Sequence, residues 1–249
     1  DELAAQVSEI VKKDLIFSGL FNVVEIPALK DDPAPDLALY SRLGIEALVK
    51  GSFSQTDKKI VIEGELYDVS TNEKIFKERY TGTKESFRDF VHNFSDDIVK
   101  RFTGERGIAH TKICFSNDSS GKKEIYMIDY DGYNLKKLTH DNSIALLPKF
   151  SPDARGIIFT TYKNGAPQLY SIDIGSGKQT PVAVFPGLNT AGDFSGDGKL
   201  ISITLSKDND PEIYLLNPKG RVQRRLTYSR GIDTSANFSP NSREVVFTS

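Results

Sequence analysis

The sequence predicts two domains: a small α/β domain over residues 1–107, then an all-β propeller, incomplete, over residues 108–249. Three observations predict it. The stretches FSPDARGIIF, FSGDGKLISI and FSPNSREVVF start at Phe150, Phe194 and Phe238, a step of 44 residues each time. The segments around them repeat at the same step, and each is short, β-branched or aromatic, and bounded by turn residues. Before about residue 105 this grammar is absent, and apolar residues there fall at helical as well as strand spacing.

The repeat carries four strands. Ile125-Tyr126-Met127-Ile128-Asp129, Leu169-Tyr170-Ser171-Ile172-Asp173 and Ile213-Tyr214-Leu215-Leu216-Asn217 lie 44 apart. So do Ile113-Cys114-Phe115-Ser116, Ile157-Ile158-Phe159-Thr160 and Ile201-Ser202-Ile203-Thr204, and Leu138-Thr139 returns two periods on as Leu226-Thr227. A period of about 40–45 residues is that of a propeller blade, and the Ser-Pro-Asp, Asn-Gly, Asp-Gly and Gly-Ser-Gly breaks leave no room for helices. In the second unit the strands are expected at about 145–150, 156–162, 168–174 and 178–184. Each FSP-like stretch then joins an innermost strand to its neighbour, with its Phe turned toward the next blade. The first unit, from about Thr111, lacks an inner strand; two units are complete, and a fourth stops after two strands. That is about three blades. A ring closes with roughly 4–8, so the chain is expected to continue past Ser249.

In the leading domain Leu3, Val7, Ile10 and Val11 mark a first helix, with Gly19 just past its end. Asn22 to Ile26 reads as a short strand, Pro33-Ala34-Pro35 as a loop, and Asp36 as the cap of a brief helix stopping at Gly44. Strands are expected at about 46–55, 59–69 and 74–82. Thr83 is then expected to cap a long helix with an apolar stripe of Phe87, Phe90, Val91, Phe94, Ile98 and Phe102, ended by Gly104. His92 falls at the edge of that stripe, and Glu105 to His110 forms a short, stiff connection.

Composition narrows the function. A formal net charge of −2 carries no cationic excess for nucleic acid, and Arg221-Val222-Gln223-Arg224-Arg225 reads as a solvated strand face. No apolar run reaches the roughly eighteen residues of a membrane span. Cys114 is the only cysteine, so no internal disulfide forms. Gly175-Ser176-Gly177-Lys178 lacks the Ser or Thr after Lys and the earlier Gly of a phosphate loop, and it falls where the other units have hairpin turns. His92, His110 and His140 lack metal-type spacing. No Gly-x-Ser-x-Gly elbow marks a serine hydrolase, and the absence of Trp removes the usual sugar-stacking residue. What varies between units is the lead-in to each inner strand: residues 141–146, 186–191 and 231–235. These are expected to share one rim with 117–123, 163–167 and 206–211, and variable loops on a rigid repeat are where binding surfaces are built.

The helix ending Phe102-Thr103-Gly104-Glu105-Arg106-Gly107 leads into a repeat region that opens Asp129-Tyr130-Asp131-Gly132-Tyr133-Asn134. FSPD-like turns and Leu-Thr strand ends follow. On these residues the chain resembles the TolB family, periplasmic propeller proteins of the Tol–Pal envelope system, over essentially its whole length. The resemblance implies a six-bladed ring and a non-catalytic periplasmic adaptor supporting outer-membrane integrity, cell division and protein transport, with no cofactor and no metal. It implies docking of the peptidoglycan-associated lipoprotein, Pal, on the rim that carries the lead-in loops. It also implies a TolA contact through a segment preceding Asp1, which is therefore not expected of this chain. The Pal motif falls on Leu188, Asn189 and Ala191, although many relatives have His where this chain has Leu188. Thr234 matches a further Pal position, and Leu146 is its counterpart by repeat symmetry. The alternative is the propeller part of a peptidase or other hydrolase whose catalytic domain lies beyond Ser249.

Overall fold

The computed structural model describes residues 2–26, 35–56 and 59–249, so Pro33 and Ala34 of the predicted loop lie outside the described residues. Two compact units divide the chain, Asp1–Thr111 and Lys112–Ser249. The division falls past residue 107 because residues 105–110 are hydrogen-bonded back onto the first unit.

In the first unit helix α1 (Glu2–Phe17) buries Ile10 and Leu15 and ends where Gly19 takes φ +71°. The segment 22–26 forms no strand, contrary to expectation. Phe21 and Val23 turn into the core while Asn22 and Val24 face out, so the alternation records burial without ladder pairing. Helix α2 (Leu37–Arg42) is capped by Asp36, whose carboxylate accepts the Ala38 N–H at 3.1 Å. Strands β1 (Ala47–Gln55), β2 (Ile60–Asp68) and β3 (Glu73–Gly82) form an antiparallel sheet in that order. Alternate residues Ile60, Ile62 and Leu66 of β2 are buried.

Helix α3 (Phe87–Thr103) covers that face, with Val91, Phe94 and Ile98 in the same clusters as Ile10, Leu15 and the β2 residues. A Cβ at Gly64 would lie 2.3 Å from the Phe94 ring, so this glycine is what lets the ring cross β2. The N-cap position of α3 is Ser86, not the expected Thr83. Thr83 N donates to Ser86 Oγ at 3.1 Å and Ser86 N to Thr83 O at 3.2 Å, which spends both residues on a turn before the helix. His92 is buried rather than at the stripe edge, with Nδ1 2.8 Å from Oδ2 of the equally buried Asp14. Phe102, last in the stripe, stays half exposed and meets Phe21 edge-on at 5.3 Å.

The second unit is a run of antiparallel blades. A three-stranded sheet comprises β4 (Lys112–Asn117), β5 (Glu124–Asp129) and β6 (Lys136–Lys137). A four-stranded sheet follows: β7 (Ala145–Phe150), β8 (Gly156–Thr161), β9 (Gln168–Asp173) and β10 (Gln179–Ala183). The next is β11 (Asn189–Phe194), β12 (Ile201–Leu205), β13 (Glu212–Leu216) and β14 (Val222–Arg225). The chain ends in the pair β15 (Thr234–Phe238) and β16 (Val245–Thr248). Register repeats with the sequence: Leu146 pairs Thr160, Thr190 pairs Thr204, and Thr234 pairs Thr248. Each inner strand then breaks register, at Leu146/Lys149, Ala191/Phe194 and Thr234/Asn237, and such bulges sharpen the local twist.

The FSP-like stretches are one hydrogen-bonded device made three times. Ser151, Ser195 and Ser239 each donate a hydroxyl to Asp153, Asp197 or Asn241, at 2.6, 2.7 and 2.8 Å. The same oxygens accept the N–H of Gly156, Leu200 and Glu244, while the acid or amide accepts from Arg155, Lys199 and Arg243. A left-handed residue completes each turn: Ala154, Gly198 or Ser242. The Phe residues are only partly buried, and Phe150 and Phe194 pack on clusters shared with the preceding blade rather than the next. One cluster joins Ile125, Met127 and Leu138 to Ile157 and Phe159; the other joins Ile158 and Leu169 to Ile203 and Tyr214. The first three blades thus share apolar cores at their boundaries.

The Ser195 hydroxyl, then the Lys199 amide, hold the Asp197 carboxyl down at about 2, below its ordinary 3.8. Its contribution to the turn is complete above pH 3.8 and is lost as pH falls through about 2. Ser195→Ala should cost about 1–2 kcal/mol at pH 7, the loss of buried hydrogen bonds. Urea unfolding should show the gap to wild type narrowing as pH approaches 2.

Candidate functional site

The lead-in loops are built on a junction that also repeats every 44 residues. Ala145 N donates to Lys123 O at 2.7 Å, Asn189 Nδ2 to Pro167 O at 3.1 Å, and Asp233 N to Pro211 O at 2.9 Å. Each bond ties the start of an inner strand to the loop before the third strand of the preceding blade. Within the blade the same loops are stapled again: Tyr162 N donates to Ile144 O at 2.9 Å and Ser206 N to Leu188 O at 3.2 Å. These bonds place the lead-in loops beside 123, 162–167 and 206–211, on the rim where the repeat puts them.

At the tip of each loop stands an apolar residue, again 44 apart: Ile144, Leu188 and Ile232. Ile144 is 43% and Ile232 64% exposed, and Leu188 is half-buried. Around them sit cation–ring stacks. Lys163 lies 4.0 Å from the centre of the Tyr170 ring, Lys207 5.0 Å from that of Tyr214, and Arg225 4.5 Å from that of the exposed Tyr228. Arg225 also pairs with the fully buried Glu212 at 3.0 Å. Desolvation first, then the hydrogen bond from its hydroxyl to Asp208, pushes Tyr214 up to about 12. In the first blade Glu124 fills the place of Glu212, accepting from the Thr139 hydroxyl at 2.5 Å and the Asn142 amide at 3.0 Å.

The five candidate residues separate into two kinds. Leu146 and Thr234 occupy equivalent paired positions on inner strands and are partly exposed, as is Leu188 on its loop. Asn189 is wholly buried and acts as a clamp. Its Oδ1 accepts the Phe185 N–H at 2.9 Å, and its amide nitrogen is shared among the carbonyls of Pro167, Phe185 and Gly187. Ala191 is buried in the cluster between the two complete blades, with its N–H on Thr160 Oγ1 at 2.9 Å. The first three side chains are accessible from solvent, while Asn189 and Ala191 hold the loop that presents Leu188. Ile144 and Ile232, not singled out from the sequence, share the loop position of Leu188. The signal was there in the 44-residue step from Leu188, hidden because aliphatic residues read first as core.

The remaining motifs settle as structure. Gly177 N donates to Asp173 O at 2.8 Å and Ser176 N to the Asp173 carboxylate at 2.7 Å, so the phosphate-loop look-alike is a hairpin turn around an acid. His92 and His110 each face one aspartate, Asp14 and Asp96, and His140 is on the surface. Among the described residues no three His, Cys, Asp or Glu side chains gather as a metal site, and no described helix is long and apolar enough to cross a membrane.

Comparison with known proteins bears on both units. A family model described as the TolB amino-terminal domain matches residues 1–75, and one described as the TolB beta propeller domain matches residues 99–249. The chain is 34% identical over 187 residues to a protein TolB homolog of Chlorobium chlorochromatii, covering 73% of this chain and 42% of that protein. It is 39% identical over 158 residues to a Tol-Pal system protein TolB of Geobacter sulfurreducens, covering 61% and 37%. Among solved structures, TolB from Acinetobacter baumannii superposes with a TM-score of 0.86 at 29% identity, over 98% of this chain and 62% of that one. The chain thus spans about two fifths of the length of these curated relatives.

Replacing Asn189 by Ala should cost about 2–3 kcal/mol by removing a buried multiple hydrogen-bonder. Leu188→Ala should cost less than about 1 kcal/mol, as befits a half-exposed loop residue. Denaturant melts of the two variants check the division between clamp and surface.

Proposed function

Since the chain belongs to the TolB family, we propose that it acts as a non-catalytic adaptor of the Tol–Pal system in the periplasm, docking the peptidoglycan-associated lipoprotein on the lead-in rim of its propeller. In that role it supports outer-membrane integrity, cell division and protein transport. The observation that carries this reading is the pairing of variable, exposed loop tips with a junction repeated at three blade boundaries. Ile144, Leu188 and Ile232 stand on loops each tied to the preceding blade, and the Ile144 and Leu188 loops are bonded to their own blade as well. Pre-ordered loops lose little entropy on binding, so a few apolar anchors suffice for useful affinity.

Leu146, Leu188 and Thr234 contact the partner directly in this reading, and Asn189 and Ala191 act through the loop they hold. No chemistry is asked of the rim: its carboxylates Glu124 and Glu212 are buried and paired with Lys137 or Arg225. A TolA contact is not assigned to any residue of this chain.

The test is capture of the soluble domain of the cognate lipoprotein by the full chain and by Thr234→Arg. A large cationic side chain at a partly exposed interface position should weaken binding at least about tenfold, roughly 1.4 kcal/mol, without altering the melting temperature. Equal capture by the variant removes Thr234 from the interface. Failure of the parent chain to bind at all removes the lipoprotein as its partner.

A further inference from the structure

Residues 105–110 leave α3 and return along it. Glu105 N donates to Thr103 Oγ1 at 3.1 Å, and Arg106 Nη2 to Asn93 Oδ1 at 2.5 Å. Gly107 N lies 3.4 Å from Asp96 O. The Asp96 side chain then takes the rest: Oδ1 accepts Ala109 N at 2.8 Å, and Oδ2 accepts His110 N at 3.1 Å and faces His110 Nδ1. Asp96 is only 1% exposed. A Cβ at Gly107 would stand 2.4 Å from Asp96 Oδ1, so glycine is required for the carboxylate to sit there. Thr111 closes the segment with its N–H and hydroxyl on Ile108 O, at 3.0 and 2.6 Å.

We infer that Asp96 is a latch on the connector: one buried carboxylate holds residues 107–110 against α3, so that the connector is ordered as part of the first unit up to Thr111. The donors converge on a single charged group, and charge-assisted bonds of this kind are roughly twice as strong as neutral ones. A buried carboxylate stripped of donors is costly, so the segment is held as a set or released as a set. Released, six residues from 105 to 110 form a tether with a reach of about 20 Å. No other carboxylate among the described residues takes two backbone N–H groups of this connector.

The experiment is amide hydrogen exchange on the whole 249-residue chain. In the parent protein the Ala109 and His110 amides should be protected at least about a hundredfold over an unfolded chain. Asp96→Ala should lower that protection at least about tenfold and speed tryptic cleavage after Arg106, with Ile203 and Leu205 unchanged. Gly107→Ala keeps the carboxylate but displaces the connector, and should give the same local loss while Val91 and Phe94 in α3 stay protected. Unprotected Ala109 and His110 in the parent overturn the latch. So do protection unchanged in both variants, or loss spread equally along α3 in both.

Discussion

The contact on which the second unit depends is a hydrogen bond from the residue at or just before the start of an inner strand to a carbonyl of the blade before it. It recurs as Ala145 to Lys123, Asn189 to Pro167 and Asp233 to Pro211. Its spacing matches the sequence period, so each blade begins at a fixed place relative to its predecessor. Hydroxyls on second strands add a further tie: Ser116 donates to Ala145 O, Thr160 accepts Ala191 N, and Ser202 donates to Ala236 O. Apolar residues from two blades then fill the first two gaps. Burial supplies the energy, and these directional bonds supply the register.

That register turns loops into a surface. A lead-in segment fastened to its own blade and to the preceding one has little conformational freedom left, yet its tip points out. The scaffold is therefore free to keep Asn189 and Ala191 inside while Leu188 changes character. The opposite rim is different: its Ser-x-Asp and Asp-Gly turns consume their polar groups internally, as Asp153, Asp173 and Asn217 show by capping neighbouring amides.

Period and pattern made most of the fold legible. The strands of the second blade were placed within about a residue or two, because short β-branched runs between turn signals have one reading. Besides the burial of His92, three features escaped. The 22–26 segment has strand alternation without a pairing partner, and alternation reports burial only. Thr83 and Ser86 are both good caps, and only their mutual hydrogen bonds decide between them. The direction in which Phe150 and Phe194 pack depends on blade twist, which letters do not encode. In the rim, Leu188 and Thr234 came from family resemblance. The burial of Asn189 needed the loop's geometry, since an asparagine in a variable loop reads as a surface group. Ile144 and Ile232 needed the register of Leu188.

The most direct measurement is a map of amide chemical-shift changes on the labelled chain as the soluble lipoprotein domain is added. Perturbations should gather at 141–146, 186–190 and 231–235, with the buried Asn189 side-chain amide shifting less than the backbone of Leu188. Perturbations gathered instead at the Ser-x-Asp turns, 151–156, 195–200 and 239–244, would contradict the account.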